Sequence, residues 1–346
     1  MKIDGIKTLE KLVSFNTIKD KENKEIIEYI ESEFNKLGFK TKYKNKALIL
    51  EYGTDFNLGF VSHTDTVDAN EKAWNTDPFK LKKDGDFLYG LGACDTKSTC
   101  AAFLEAVSKV NLESLKRGIK IYITYDEEIS FKGIEEVIEN EKNFPDYVLV
   151  GEPTANIIDT ACKGILEISL EFFGKRAHAS TPKKGINSNV KAINFFNEIN
   201  SYYEENIKPD VENLFEVPET TFTLTKIEGG DIKNAIPDKT TLLIDSRISK
   251  DKHLKMLKEK VEELAKKYEA KLSFGDILKP FNNDVDILET KHASSFITEA
   301  SLIDAKYKMI LGGGPVTAHE VNEHISLSSL NKLVEQYKEI IEKVCK

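Results

Sequence analysis

Gly59-Phe-Val-Ser-His63-Thr-Asp65-Thr-Val67, followed by Leu88-Tyr-Gly-Leu-Gly-Ala-Cys-Asp95-Thr-Lys97, is the part of the sequence whose reading decides the fold. An apolar run ends at a histidine, and an aspartate stands two positions further on. A glycine-punctuated turn then delivers Asp95 to the start of a helix. Histidine and aspartate are ligand types suited to a Zn²⁺-like ion. Other apolar runs end in the same way. Ile121-Tyr-Ile-Thr-Tyr-Asp126 leads to Glu127-Glu128, Val148-Leu-Val-Gly151 leads to Glu152, and Met309-Ile-Leu311 leads through glycines to His319. In open α/β sheets ligands bind beyond the carboxyl ends of the strands, so residues far apart in sequence can converge there.

Outward from these stretches, apolar spacing predicts helices over residues 3–13 and 26–37, the second closed by Gly38. Strands are expected at 39–44, 47–52, 57–62, 119–125 and 147–150, with helices at 96–110 and 133–141. Alternation of strands and helices argues for an α/β fold with a mostly parallel sheet. After Gly164 the pattern changes. A half-exposed strand at 165–173 precedes a helix at 187–205, strands near 220–227 and 240–247, a helix at 252–269 and a strand at 271–275. This β-α-β-β-α-β order is ferredoxin-like. The expected division is therefore a catalytic domain of residues 1–163 and 279–346, interrupted by an inserted domain at 164–278. A helix near 292–304 and a final helix through Val344 complete the reading.

Composition is that of an ordinary globular protein, with 40% hydrophobic and 31% charged residues among 346. A net charge of −9 with interleaved signs argues against nucleic acid or an anionic membrane as partner. No apolar stretch is long enough to span a membrane, and the first residues have no apolar core of a signal peptide. Cys94, Cys100, Cys162 and Cys345 show no Cys-x-x-Cys spacing, so reduced thiols and a cytoplasmic location are expected.

His63, Asp95 and Glu152 can fill the shell of one ion, and Asp95, Glu128 and His319 that of a second, with Asp95 shared. Two ions about 3.5–4 Å apart can hold a hydroxide and polarise a carbonyl. Glu127 is then free as general base, and Asp65 is placed to orient the His63 ring. Taken singly, each residue has a plainer reading: Asp95 as a helix cap, Glu127-Glu128 as a solvated turn. His319-Glu-Val-Asn-Glu-His324 is not the His-Glu-x-x-His zinc helix, because its histidines are five apart and do not share a helix face. Gly312-Gly-Gly-Pro315 lacks the Gly-Lys-Ser/Thr of a phosphate loop.

These blocks resemble the M20 family of metallohydrolases. His63-Thr-Asp65-Thr-Val67 is similar to its His-x-Asp-x-Val, Trp74-Asn-Thr-Asp-Pro-Phe79 to its Trp-x-x-x-Pro-Phe, and Leu88 to Lys97 to its Leu-Tyr-Gly-Arg-Gly-x-x-Asp-x-Lys. Thr124 to Glu128 and Gly151 to Thr154 match two further blocks in order. The resemblance implies two zinc ions, with cobalt or manganese as substitutes, held by the five ligands above, and Glu127 as the base. It implies that the inserted domain is a lid that pairs two copies into a homodimer. There Gly174-Lys-Arg-Ala-His178-Ala-Ser-Thr-Pro182 supplies His178 to stabilise an oxyanion. It also implies substrate contacts from Asn234 and Arg247. Leu91 and Ser98 depart from the pattern, where arginine and glycine are usual. The implied reaction is hydrolysis of the amide of a small N-acyl amino acid, of the acetylornithine or acetyl-lysine kind. A dipeptidase or carboxypeptidase is the alternative within the same chemistry, and a non-catalytic binding protein the alternative outside it.

Overall fold

The computed structural model describes residues 2–19, 21–285, 287 and 291–346. They form two compact units. The first comprises Met1–Thr160, Asn283–His292 and Thr298–Lys346, and the second Ala161–Asn282 and Ala293–Ile297.

The first unit is built on a six-stranded sheet in the order Lys40–Lys44, Leu48–Tyr52, Gly118–Thr124, Phe56–His63, Tyr147–Val150, Tyr307–Ile310. The first two strands pair antiparallel, and the last four run parallel. Those four are apolar runs, and Gly118–Thr124 is buried along its whole length, as strands covered on both faces must be. His63 and Thr124 are partners in register, so the ends of two parallel strands lie side by side. Helices Lys97–Lys109 and Leu327–Cys345 pack on one face. There Phe60 stacks on Phe103, and Tyr337 meets both rings edge-on. Helix Gly5–Val13 joins the same core, its first turn capped by the Asp4 carboxylate. No helix among the described residues is long and apolar enough to cross a membrane.

A small sheet that the sequence reading did not anticipate bears directly on the site. Its order is His324–Ser326, Phe87–Tyr89, Lys82–Asp84, and His324 pairs with Tyr89. The pairing lays the segment after His319 against the turn that carries Asp95. His324 packs between the Phe87 and Tyr89 rings, just ahead of the last helix.

The helix expected near 292–304 does not form. Ala293–Ser294 pairs instead with Ala161–Cys162, and only a 3₁₀ turn, Glu299–Ser301, follows. Ser294, Ser295 and the β-branched Ile297 and Thr298 weaken the helix. The Thr298 hydroxyl caps the short turn by accepting from the Ala300 N–H.

The second unit has an antiparallel sheet ordered Thr223–Gly229, Lys239–Ile248, Gly164–Phe173, Lys271–Leu278, with helices Ser188–Asn206 and Asp251–Lys267. The β-α-β-β-α-β connectivity is ferredoxin-like. Leu166, Ile168, Leu170 and Phe172 alternate along the central strand and pack into one core with Phe195, Ile199, Leu257 and Val261. Thr223–Gly229 is an exposed edge strand.

Candidate metal centre

Two groups of side chains converge at the carboxyl ends of the parallel strands. In His63, Asp95 and Glu152, and again in Asp95, Glu128 and His319, ligand-capable atoms lie within 4.8 Å of one another. His63 is the last residue of its strand, and its ring is buried. Its Nε2 is 3.0 Å from Asp95 Oδ1 and 3.7 Å from Glu152 Oε1. His319 Nε2 is 2.8 Å from Glu128 Oε2 and 3.6 Å from Asp95 Oδ2. Asp95 therefore turns one oxygen to each histidine. It does not cap the helix that follows, since Thr96 holds the cap position.

The ring of His63 is oriented from behind. Nδ1 lies 3.0 Å from the Asp65 carbonyl oxygen and 3.4 Å from the Asp65 carboxylate. Asp65 Oδ2 in turn accepts the Glu128 N–H. The Thr96 hydroxyl donates to the His63 carbonyl, which ties the strand end to the helix start. Gly92 has φ +81° and lies against the stem of Lys97, so neither its backbone nor its surroundings admit a side chain. At Gly312 an added Cβ would sit 2.2 Å from the Glu152 carbonyl oxygen, so the glycine loop and the Glu152 loop touch backbone to backbone.

The electrostatics call for a cation. Asp65, Asp95, Glu127, Glu128 and Glu152 crowd around two imidazoles. Burial opposes the charged His63 ring, yet hydrogen bonds to Asp65 and Asp95 and the charge of Glu152 hold its pKa well above the ordinary value. Burial lifts Glu127 well above the usual carboxylate range; Glu299, Asp95 and Glu128 add to this, and His63 opposes it. Glu152 is raised by burial and then by Glu127 and Asp95. Its Oε1 is buried without a hydrogen-bond partner, as is Asp65 Oδ1. Mixed imidazole and carboxylate donors with an orphaned buried oxygen fit divalent zinc, cobalt or manganese.

Sequence reasoning did not assign Glu323, Lys97 or Glu299. Lys97 is buried and donates to the Phe15 carbonyl at 2.9 Å. Burial brings its ammonium down to about 7, with Glu323 and Asp65 opposing the shift. Glu299 is fully buried with both oxygens unpartnered, and its carboxyl is pushed up to about 7, chiefly by burial. Nothing local in the sequence marks it. Cys94 is a buried packing thiol, raised to about 12 mainly by burial. A cavity of about 610 Å³ opens beside Asp65, among Lys46, Tyr125, Ile129 and Lys132, and none of His63, Asp95, Glu128, Glu152 and His319 lines it.

His178, Asn234 and Arg247 belong to the second unit. His178 is exposed, its Nδ1 2.7 Å from the Ser180 hydroxyl. The Asn234 carbonyl accepts from Ala179, so these two loops adjoin. Arg247 forms a bidentate pair with Asp245.

A family model described as peptidase family M20/M25/M40 matches residues 59–343. The chain belongs to this family. Hydrolases of the M20 family act on amide bonds, so this M20 protein is an amide-bond hydrolase. It is 28% identical to an acetylornithine deacetylase of Buchnera aphidicola subsp. Acyrthosiphon pisum (strain Tuc7), over 96% of this chain and 94% of that relative. In fold it is similar to aminopeptidase PepT from Bacillus cereus, with a TM-score of 0.81, 20% identity and coverage of 99% of this chain and 100% of that one. It is also similar to the Bacillus subtilis YXEP protein, described as a dinuclear metal-binding peptidase of the M20 family. That match has a TM-score of 0.71 and 16% identity, over 98% of this chain and 97% of that one.

Proposed function

We propose that this M20 protein is a two-metal deacylase that hydrolyses the amide of a small N-acyl amino acid of the acetylornithine or acetyl-lysine kind. The observation that carries the two-metal reading is the Asp95 carboxylate, with Oδ1 toward His63 and Oδ2 toward His319. His63, Asp95 and Glu152 are assigned to one zinc, and Asp95, Glu128 and His319 to the other. The substrate class is supported by full-length likeness to acetylornithine deacetylases.

Two zinc ions bound there supply an acidified water and a Lewis-acidic contact for the scissile carbonyl. Glu127 takes the proton from the attacking water and delivers it to the leaving amine. Burial favours the protonated form of its carboxyl, which must be re-formed within each turnover. Asp65 keeps the His63 ring in its ligating orientation. From the inserted lid domain, His178 is assigned to the developing oxyanion, and Asn234 and Arg247 to the substrate, Arg247 through its guanidinium fork. Homodimerisation through this domain is supported by the exposed edge strand Thr223–Gly229 and by the apolar Val190 and Ile193 exposed on helix Ser188–Asn206. Four buried cysteines without Cys-x-x-Cys spacing accord with a reducing cytoplasm.

The test is a screen of zinc-loaded protein against N-acetylornithine, N-acetyl-lysine, dipeptides and tripeptides, repeated after chelation. Acyl-amino-acid turnover that chelation abolishes supports the proposal. Turnover of peptides alone assigns the protein to the peptidase branch.

A further inference from the structure

From the contacts of one buried side chain we infer that Glu323 is a positioning residue that sets the shared carboxylate of Asp95. The turn from Gly90 to Asp95 sits outside any helix or long strand, so its N–H groups need partners from elsewhere. Glu323 supplies four of these bonds. Its carbonyl oxygen accepts from Gly90 at 3.0 Å. Its side-chain Oε2 accepts from Gly92 at 2.9 Å, and Oε1 from Cys94 at 2.7 Å and Asp95 at 2.9 Å. The side chain is 2% exposed. Oriented N–H groups around a carboxylate form an anion nest, which here encloses the protein's own side chain.

The arrangement has two consequences for the site. Asp95 offers an oxygen to each metal position, so a small rotation of its backbone moves both shells at once. Glu323 is also four residues beyond His319, and the strand pairing of His324 with Tyr89 fixes it opposite the turn. The loop that supplies one histidine thus clamps the turn that supplies the shared carboxylate. Leu91, which stands where the family pattern has arginine, lies in the same turn. Leu91 is buried with its N–H on the Pro78 carbonyl, and the turn is held without a cation at that place. This inference rests on the proposed role of Asp95 as a metal ligand.

The test uses Glu323→Gln, which keeps the shape and replaces one accepting oxygen by a donor. Cobalt(II) binding is titrated by calorimetry and visible absorption on metal-free wild type and variant. Expected is cobalt affinity weakened by about 10–100-fold, while the metal-free variant still unfolds cooperatively, at a somewhat lower temperature because a buried N–H has lost its acceptor. At fixed metal kcat falls, KM holds, and excess cobalt restores kcat. A variant that titrates like wild type overturns the inference and leaves the two-metal proposal standing. A wild type that takes up no cobalt overturns both. If Glu323→Gln does not fold, Glu323→Asp takes its place, and unchanged affinity there overturns the inference equally.

Discussion

Phe60 and Phe103 stack with ring centroids 3.9 Å apart and planes inclined by 4°. The first ring lies on the strand that ends at His63, and the second on the helix that begins after Asp95. The stack therefore fixes the distance between the strand that presents His63 and the helix that follows Asp95. Phe103→Ala is expected to destabilise the protein by about 3–5 kcal/mol, the usual cost of emptying a buried aromatic site. Urea unfolding of the metal-free protein measures it; a loss below 1 kcal/mol would mean that the stack contributes little.

Asp95→Ala and Glu152→Ala should differ in kind. Asp95 faces both histidines, whereas Glu152 joins only the His63 group. After metal loading and dialysis, elemental analysis should find both ions lost from the first variant. Only the ion on the His63 side should be lost from the second. Equal losses would contradict the shared role of Asp95.

On the proposed assignment, Glu127→Gln leaves the five ligands in place and removes the proton acceptor. Metal content should match wild type while kcat falls by at least ~10², the usual size of a general-base contribution. Unchanged turnover would take Glu127 out of the reaction.

Glu141 tests the acid side of stability. Its carboxylate is 5% exposed and holds Lys120 at 2.5 Å and Lys42 at 2.8 Å. Burial would raise its pKa, but hydrogen bonds and charge from the two lysines outweigh this and hold it below the ordinary value of 4.5. A depressed carboxylate stabilises fully above its unfolded pKa, and the contribution is lost as pH falls through the folded one. Glu141→Gln leaves the buried Lys120 with Glu51, at 3.2 Å, as its remaining carboxylate, and should cost about 1–3 kcal/mol near pH 7. The gap from wild type should narrow progressively below pH 4.5. A gap independent of pH would show that the pair's charge is not what stabilises.

The parallel strands were legible because a strand buried on both faces must be apolar throughout, and a polar residue at its end stands out. The ferredoxin-like connectivity was legible from the switch to two-residue alternation at Gly164. Glu323 was not legible. Its side-chain partners lie 228 to 231 residues away, and the short strand that brings it there has no pattern long enough to read. The segment 292–304 misled because its spacing suits a helix, while its serines and β-branched residues and the pairing with Ala161–Cys162 decide otherwise.

The contact between Gly312 and the Glu152 carbonyl turns residue 312 into a gauge for the whole pocket. With no clearance on that side, a single methyl group there must push one loop off the other, and the nearest thing to move is Glu152, a proposed ligand. Enlarging that residue by the smallest step chemistry allows should therefore register as a change in metal binding before it registers as a change in fold.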